Sequence, residues 1–422
     1  MTPARPPRLP ALRYRTARRT DVETLAVLGF RAYRVRSIEQ RREFYTDHPR
    51  FGLKDVRVGE LDGEVVASLV LYPLHACVRG QRLPVVGVGS VAVSPEHRRR
   101  GVGEALMRAA LREMRQNGRA LSALYAFRGS YYRRLGYGVI EVVNALAFSP
   151  ANLPASDEAR QVRRLMLPDR PAVQALYERV AAQGHFALAR KPEWWEQRLW
   201  TYPGDWVVYE GKRRGQIEGY LYYEVDNTQG PFKLALTLGE FVAATPAAHR
   251  GLAGHLASLV DQVHEIQFAA PADNAWLAML TTAQNLHPAA DIPFFADTGG
   301  VANGLMLRIT DVRLALEMLP VTPWARGEIL LEVDDPVLPA NARPLRVSAR
   351  DGRLKLGPEA RGRTRAPRLT IPADALGPIV AGTLSPVAAA ERGLIESSAG
   401  AAEIADPWFR ARPAFPYPLN AF

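Results

Sequence analysis

Apolar positions along the chain change rhythm several times, and each change predicts an element. Residues 12–17 and 55–61 alternate apolar with polar or carry β-branched side chains, which predicts strands. Residues 64–72 predict a third strand, joined to the second by the turn Asp62-Gly63 and ended by Pro73. Between the first two strands, Asp21 is placed to cap a helix running through Leu25 and Leu28. Residues 85–93 are nearly all small or branched and predict another strand. Ser94-Pro95-Glu96 after it reads as the start of a helix. Val102, Leu106, Met107, Ala110, Leu111 and Met114 form a stripe of 3.6-residue period that stops at Asn117-Gly118. Residues 120–126 then return as a strand, so residues 1–150 predict a mixed α/β sheet unit.

Residues 149–159, rich in Pro, Ala and Ser, read as a linker. A second α/β unit follows over 151–301, with strands near 206–209, 218–223 and 234–243. Its helix is expected to present Leu252, Leu256, Leu259, Val260 and Val263 on one face. The two units share a pattern. Val91-Ala92-Val93-Ser94-Pro95, then His97-Arg98 and Gly101, is echoed by Val242-Ala243-Ala244-Thr245-Pro246, then His249-Arg250 and Gly251. Both copies sit between an apolar strand and an amphipathic helix, as a duplicated fold would place them. The second copy has lost the arginine run, so it is not expected to bind the same ligand. A third region, 302–422, predicts a short helix at 313–318 and strands at 327–333, 346–349, 353–356 and 368–371.

Composition adds exclusions. With 422 residues, 47% hydrophobic and 23% charged, the chain is that of a multidomain globular protein. It has no run of eighteen apolar residues and no secretory signal pattern at its N-terminus, so no membrane partner and a cytoplasmic location are expected. Cys77, the only cysteine, excludes an internal disulfide and a thiolate metal cluster. The net charge of +11 is spread along the chain, without aromatics at a base-stacking spacing, so no nucleic-acid partner is expected.

Candidate chemistry concentrates after the strand at 85–93. Arg98, Arg99 and Arg100, then Gly101, Val102 and Gly103, lead into the helix that begins near Glu104. Glycines allow a backbone to approach a bulky anion, and the first turn of a helix offers unpaired N–H groups and a positive dipole end. These are the features of a pyrophosphate site, although a basic helix start that only solvates itself would carry the same residues. A Walker loop is excluded by the missing Gly-Lys-Ser/Thr ending, and a dinucleotide fingerprint by position and by the missing acid. His97 is read as a cap of the turn. The other histidines are scattered, and no metal is expected.

The stretch from Val91 to Gly103 resembles the acetyl-CoA motif of the GNAT superfamily of N-acetyltransferases. Tyr132-Arg133-Arg134-Leu135-Gly136-Tyr137-Gly138 is similar to a segment of the enhanced-intracellular-survival (Eis) family within it. The resemblance implies two tandem GNAT-like domains, the second without the cofactor motif, and a C-terminal α+β domain similar to sterol carrier proteins. It implies acetyl-CoA as co-substrate, held by Val91, Ala92, Val93, Arg98, Arg99, Arg100, Gly101, Val102, Gly103 and Glu104. It further implies Tyr132 as general acid and the α-carboxylate of Phe422 as general base. The strand at 85–93 contains no carboxylate or histidine, so a base has to come from elsewhere. Partial burial would raise a terminal carboxylate's pKa. Tyr131 and Tyr137 are read as packing residues.

The acceptor implied is a primary amine of aminoglycoside, polyamine or lysine type, and relatives tend to form hexamers. Arg133 and Leu135 replace a glycine and a phenylalanine of the family segment. Phe127 and Arg128 stand where relatives carry smaller or acidic residues, and Ala421 where some have an acid. These departures bear on the acceptor more than on the reaction. The competing reading is a non-catalytic lipid- or partner-binding protein on a remnant scaffold.

Overall fold

The computed structural model describes residues 11–213, 215–228, 230, 233–273, 275–281, 299–359 and 366–422. Among them, three sheets form the framework. The first runs Arg13–Thr16, Val56–Leu61, Glu64–Val78, Gln81–Val93, Leu121–Tyr125, Leu305–Ile309, Gly138–Val139, with Ala187–Leu188 paired to Glu64–Val78. The second runs Gly299–Asn303, Val142–Phe148, Val263–Pro271, Leu234–Ala243, Ile217–Asp226, Asp205–Glu210, Val162–Arg164. The third has five strands, with Glu328–Asp334 at its centre. Two mixed α/β units followed by an α+β unit match the expected architecture.

The sheets interlace along the chain. Val142–Phe148, inside the stretch 1–150 expected to form the first unit, lies in the second sheet, antiparallel to Val263–Pro271. Leu305–Ile309 crosses back and inserts between Leu121–Tyr125 and Gly138–Val139 of the first. The third unit is bolted there too. Arg308 and Asp335 form an ion pair with both side chains fully buried, and Asp335 also accepts from the backbone N–H groups of Val337 and Leu338. Removing one partner of such a pair costs about 3–5 kcal/mol.

Three local expectations fail. Pro73 does not end its strand, which runs to Val78 with Pro73 opposite Val86. The carbonyl of His75 accepts from Ala189 N–H at 2.9 Å, so residues of that parity face away from Gln81–Val93, and the ladder to that neighbour needs no N–H from Pro73. The helix after Ser94 is not continuous from Pro95. A 3-10 turn, Pro95–His97, precedes the α-helix Val102–Gln116. The helix of the second unit, Pro246–Ala257, stops before Leu259. Val263 opens a strand parallel to Leu234–Ala243 instead.

Candidate functional site

The strand Gln81–Val93 is distorted where chemistry was expected. Its register against Glu64–Val78 jumps from Val70↔Gly89 to Ser68↔Ala92, and Ser90 sits at φ 49 in the bulge. Beyond the bulge, Ser94 N–H bonds Val66 O at 2.8 Å. Alternation then turns the backbone groups of Val91 and Val93 to the other side. There the Tyr33 hydroxyl donates to Val91 O at 2.9 Å and Arg98 Nε to Val93 O at 3.1 Å. The N–H groups of Val91 and Val93 point the same way. Ala92 faces back into the ladder opposite Ser68, and its side chain is buried.

That other side is open. Gln81–Val93 and Leu121–Tyr125 are parallel neighbours only at Val86↔Ser122 and Gly87↔Ala123, and then diverge. The gap leads to the turn. Arg99 at φ 61 and Gly101 at φ 79 flank Arg100, a left-handed pair of conformations that strongly favours glycine at the second position. The first helical bond is Ala105 N–H to Gly101 O, and no side chain caps the helix. Three first-turn N–H groups, on Val102, Gly103 and Glu104, thus have no intrahelical partner. A Cβ on Gly103 would lie 3.1 Å from the Tyr131 hydroxyl and 3.4 Å from Val93, so that hydroxyl rests on the helix start. Arg98, Arg99 and Arg100 are exposed around it, and Glu104 is held by Arg108 at 2.8 Å. The residues present fit a bulky phosphate-bearing ligand. His97 is not part of this cradle, since its Nδ1 bonds Ser94 Oγ at 2.8 Å.

Tyr132 and Phe422 approach the gap from opposite faces of the sheet. Tyr132 packs with Val102, Leu106 and Leu124 under the helix, its ring against Tyr131 and Tyr137. Its hydroxyl has no hydrogen-bond partner among the described residues. Burial, reinforced by the neighbouring phenols of Tyr131, Tyr33 and Tyr137, holds it protonated well above the usual phenol range. Tyr137 bonds Ser122 and is fully buried, in keeping with a packing role.

Phe422 lies on the other face. A Cβ on Gly87 would come 2.6 Å from its ring, and one on Gly89 would come 3.4 Å from its carboxyl carbon. Its ring packs on Tyr72 and Tyr125 at 5.5 and 5.6 Å. Tyr125 in turn bonds Glu141, whose carboxyl is pushed up to about 7 by burial, against the opposing bond from Leu305 N–H.

The sequence did not disclose what holds the tail. Arg50, stacked on Trp194, donates through Nη1 to the carbonyls of Asn420 at 2.8 Å and Ala421 at 3.1 Å. The Asn420 side chain accepts from Arg190 Nε at 2.7 Å and donates to the Tyr177 hydroxyl and Pro416 O, both at 2.6 Å. Arg190 is paired with Glu240, and both side chains are almost fully buried. Glu240 also accepts from Tyr220. Arg190, Tyr177, Tyr220 and Glu240 all come from the second unit. The only sequence signal for this cluster was Glu240, a charge inside the apolar strand predicted at 234–243.

In the second unit, the helix start that echoes the turn is closed. Thr245 Oγ1 caps it by accepting from Ala248 N–H at 3.1 Å, Arg250 pairs with Glu158, and His249 stacks on Phe241 and Trp276. Among the described residues, no group of His, Cys, Asp and Glu could hold a metal ion, and no helix is long and apolar enough to cross a membrane.

Family models agree with this division. Residues 13–140 and 187–309 each match an acetyltransferase (GNAT) domain, and residues 312–416 a sterol carrier protein domain. An N-acetyltransferase Eis of Mycobacterium bovis is 30% identical over 284 residues, which is 64% of this chain. The match takes in 66% of that relative's own length, just short of two thirds. An uncharacterized N-acetyltransferase of Streptomyces avermitilis is 27% identical over 401 residues, 89% of this chain and 91% of the relative. Among solved structures, a GCN5-related N-acetyltransferase from Anabaena variabilis superposes with a TM-score of 0.81 at 19% identity, covering 96% of this chain and 98% of its own. Eis1 from Mycobacterium abscessus gives 0.76 at 23% identity, covering 98% and 100%. At those identities the superpositions speak for the fold alone. The domain order makes the chain a GNAT protein with a C-terminal sterol carrier protein domain, and the sequence relatives make it similar to the Eis N-acetyltransferases.

Proposed function

We propose that this protein is an acetyl-CoA-dependent N-acetyltransferase that acetylates a primary amine by direct attack. The observation that carries the reading is the Phe422 carboxyl group over Gly89, on the very strand that leads into the uncapped Arg98–Gly103 turn. Acetyl-CoA supplies the activated acyl group. The first-turn N–H groups of Val102, Gly103 and Glu104, with the charges of Arg98, Arg99 and Arg100, hold its pyrophosphate. The backbone of Val91 and Val93 lines the pantetheine arm, and a backbone N–H there donates a hydrogen bond to the carbonyl oxygen as negative charge develops on it.

The Phe422 carboxylate takes a proton from the substrate ammonium, whose nitrogen then forms the new C–N bond as the C–S bond breaks. Tyr132 gives its hydroxyl proton to the departing sulfur, and as the adduct collapses the nitrogen sheds its second proton, which returns Tyr132 to its protonated form by way of solvent. Burial keeps Tyr132 protonated at neutral pH, as an acid requires. No enzyme nucleophile is needed, and buried Cys77, whose thiol is pushed up by burial, takes no part.

The test is thiol release from acetyl-CoA with a panel of primary amines, repeated after a few residues are appended to Phe422. Turnover that disappears on extension, with acetyl-CoA affinity kept, supports both parts. Full activity in the extended protein removes the carboxylate from the mechanism. Absence of thiol release with every amine favours the non-catalytic reading.

A further inference from the structure

The cleft beside the C-terminal tail carries positive charge that nothing in its wall balances. Arg50, His75, Arg82, Arg190, Lys191 and Asn420 line it, with Leu74 and Trp194, around a space of about 430 Å³ that includes solvent at the mouth. No aspartate or glutamate is in that lining, and Glu240 behind it is committed to Arg190. Arg50 is 8% exposed and has no carboxylate partner among the described residues. Its Nη1 is used on the tail carbonyls, while Nε and Nη2 have no acceptor among the described residues.

Burial, with Arg190 nearby, pulls this guanidinium down to about 9, and His75 is lowered by burial and by Arg82, Lys191 and Arg119. Arg82 and Lys191 are exposed at the mouth and make no ion pair among the described residues. A buried cation without a counter-charge is costly. A guanidinium stays charged at neutral pH, and its planar fork matches carboxylate and phosphate oxygens.

We infer that this cleft binds a carboxylate or phosphate group carried by the amine that is acetylated, with Arg50 at its base and Arg82 and Lys191 at its mouth. The inference rests on the transferase reading above and narrows its acceptor to amines that also bear an anion. The cleft adjoins the tail at Asn420, and its Leu74 wall leads toward Phe422. Leu74 in its wall touches the same point over Gly87 as the Phe422 ring. Leu74 lies opposite Val85, four strand residues from Gly89. At about 3.3 Å per residue, amine and anion are then on the order of 10 Å apart, so the acceptor is extended.

The experiment compares ω-amino carboxylic acids of increasing chain length with the matching ω-amino amides as acceptors. The acid is expected to exceed its amide in kcat/KM by about tenfold or more at the best length, roughly 1.4 kcal/mol. The preference should collapse in the double variant Arg82→Glu/Lys191→Glu, with acetyl-CoA affinity reporting that the variant is folded. Equal use of acid and amide at every length, or an unchanged preference in the double variant, overturns the inference. Inorganic phosphate that binds the cleft without any acid preference among acceptors marks an independent anion site and also overturns it. Should no amine be acetylated, calorimetric titration with the ω-acetamido acids and amides still decides. Tighter binding of the acids, lost in the double variant, supports the site, and equal binding refutes it.

Discussion

Gly89 and Phe422 share one space: a methyl group added to the glycine would meet Tyr72 at 2.8 Å and stand 3.4 Å from the carboxyl carbon of the phenylalanine. Gly87, on the same face, leaves room for the aromatic ring. Gly87→Ala should therefore push the tail off the strand without touching the Arg98–Gly103 turn. A displacement of this size is expected to lower kcat by about 100-fold. Steady-state kinetics and acetyl-CoA titration check this, and an unchanged kcat would separate the tail from the chemistry.

Tyr132→Phe removes a hydroxyl that bonds nothing among the described residues, so stability should change by less than about 1 kcal/mol. The loss should fall on kcat, by roughly 100-fold or more for a general acid, with little change in KM. An effect on KM alone would assign the hydroxyl to binding.

Breaking the buried pair with Glu240→Gln leaves Arg190 charged in the core. The expected cost is about 3–5 kcal/mol, visible as a lower Tm, with a fall in kcat because Arg190 also fixes Asn420. Arg190→Lys retains charge but not the forked geometry, and should recover part of the stability and less of the rate. Loss of stability with kcat intact would show that the grip on Asn420 is dispensable.

Glu141 makes stability depend on pH. Its folded pKa, about 7, lies above the ordinary 4.5 because burial disfavours the charge. Between those values the folded state binds the extra proton, so the contribution is fully present below about 4.5 and is lost as pH rises through about 7. Thermal melts should show Tm falling across that window, and Glu141→Gln should flatten the slope. An equal slope in the variant would assign the effect to another group.

The strand, uncapped turn and helix start of the candidate site were legible in the sequence because their parts are contiguous and follow one another from Val91 to Glu104. The duplicated strand-to-helix pattern was legible for the same reason. The tail clamp was not, since Arg50, Arg190, Glu240 and Asn420 come from separate stretches and acquire meaning only when the units pack. The two glycines of the strand were visible, but their cause lies at the other end of the chain. Gly136 and Gly138 give the opposite lesson. They flank a tyrosine of the family segment, yet a Cβ on the first would strike Arg308 and one on the second Asp374 and Pro378, so they serve the docking of the third unit. Pro73 misled because its missing donor matters only on the side facing a hydrogen-bonded neighbour.

Leu305–Ile309 fills the place between Leu121–Tyr125 and Gly138–Val139, while Ala187–Leu188 extends Glu64–Val78 from the other direction. The sheet that bears the turn and the gap is therefore not the product of one contiguous stretch. During synthesis, its first strands emerge long before the segment that completes them, and they wait with an open apolar edge. Such late closure slows folding and prolongs exposure to wrong partners. A fragment cut near residue 150 would lack that strand altogether. The unit most recognisable in sequence is not a unit that stands alone.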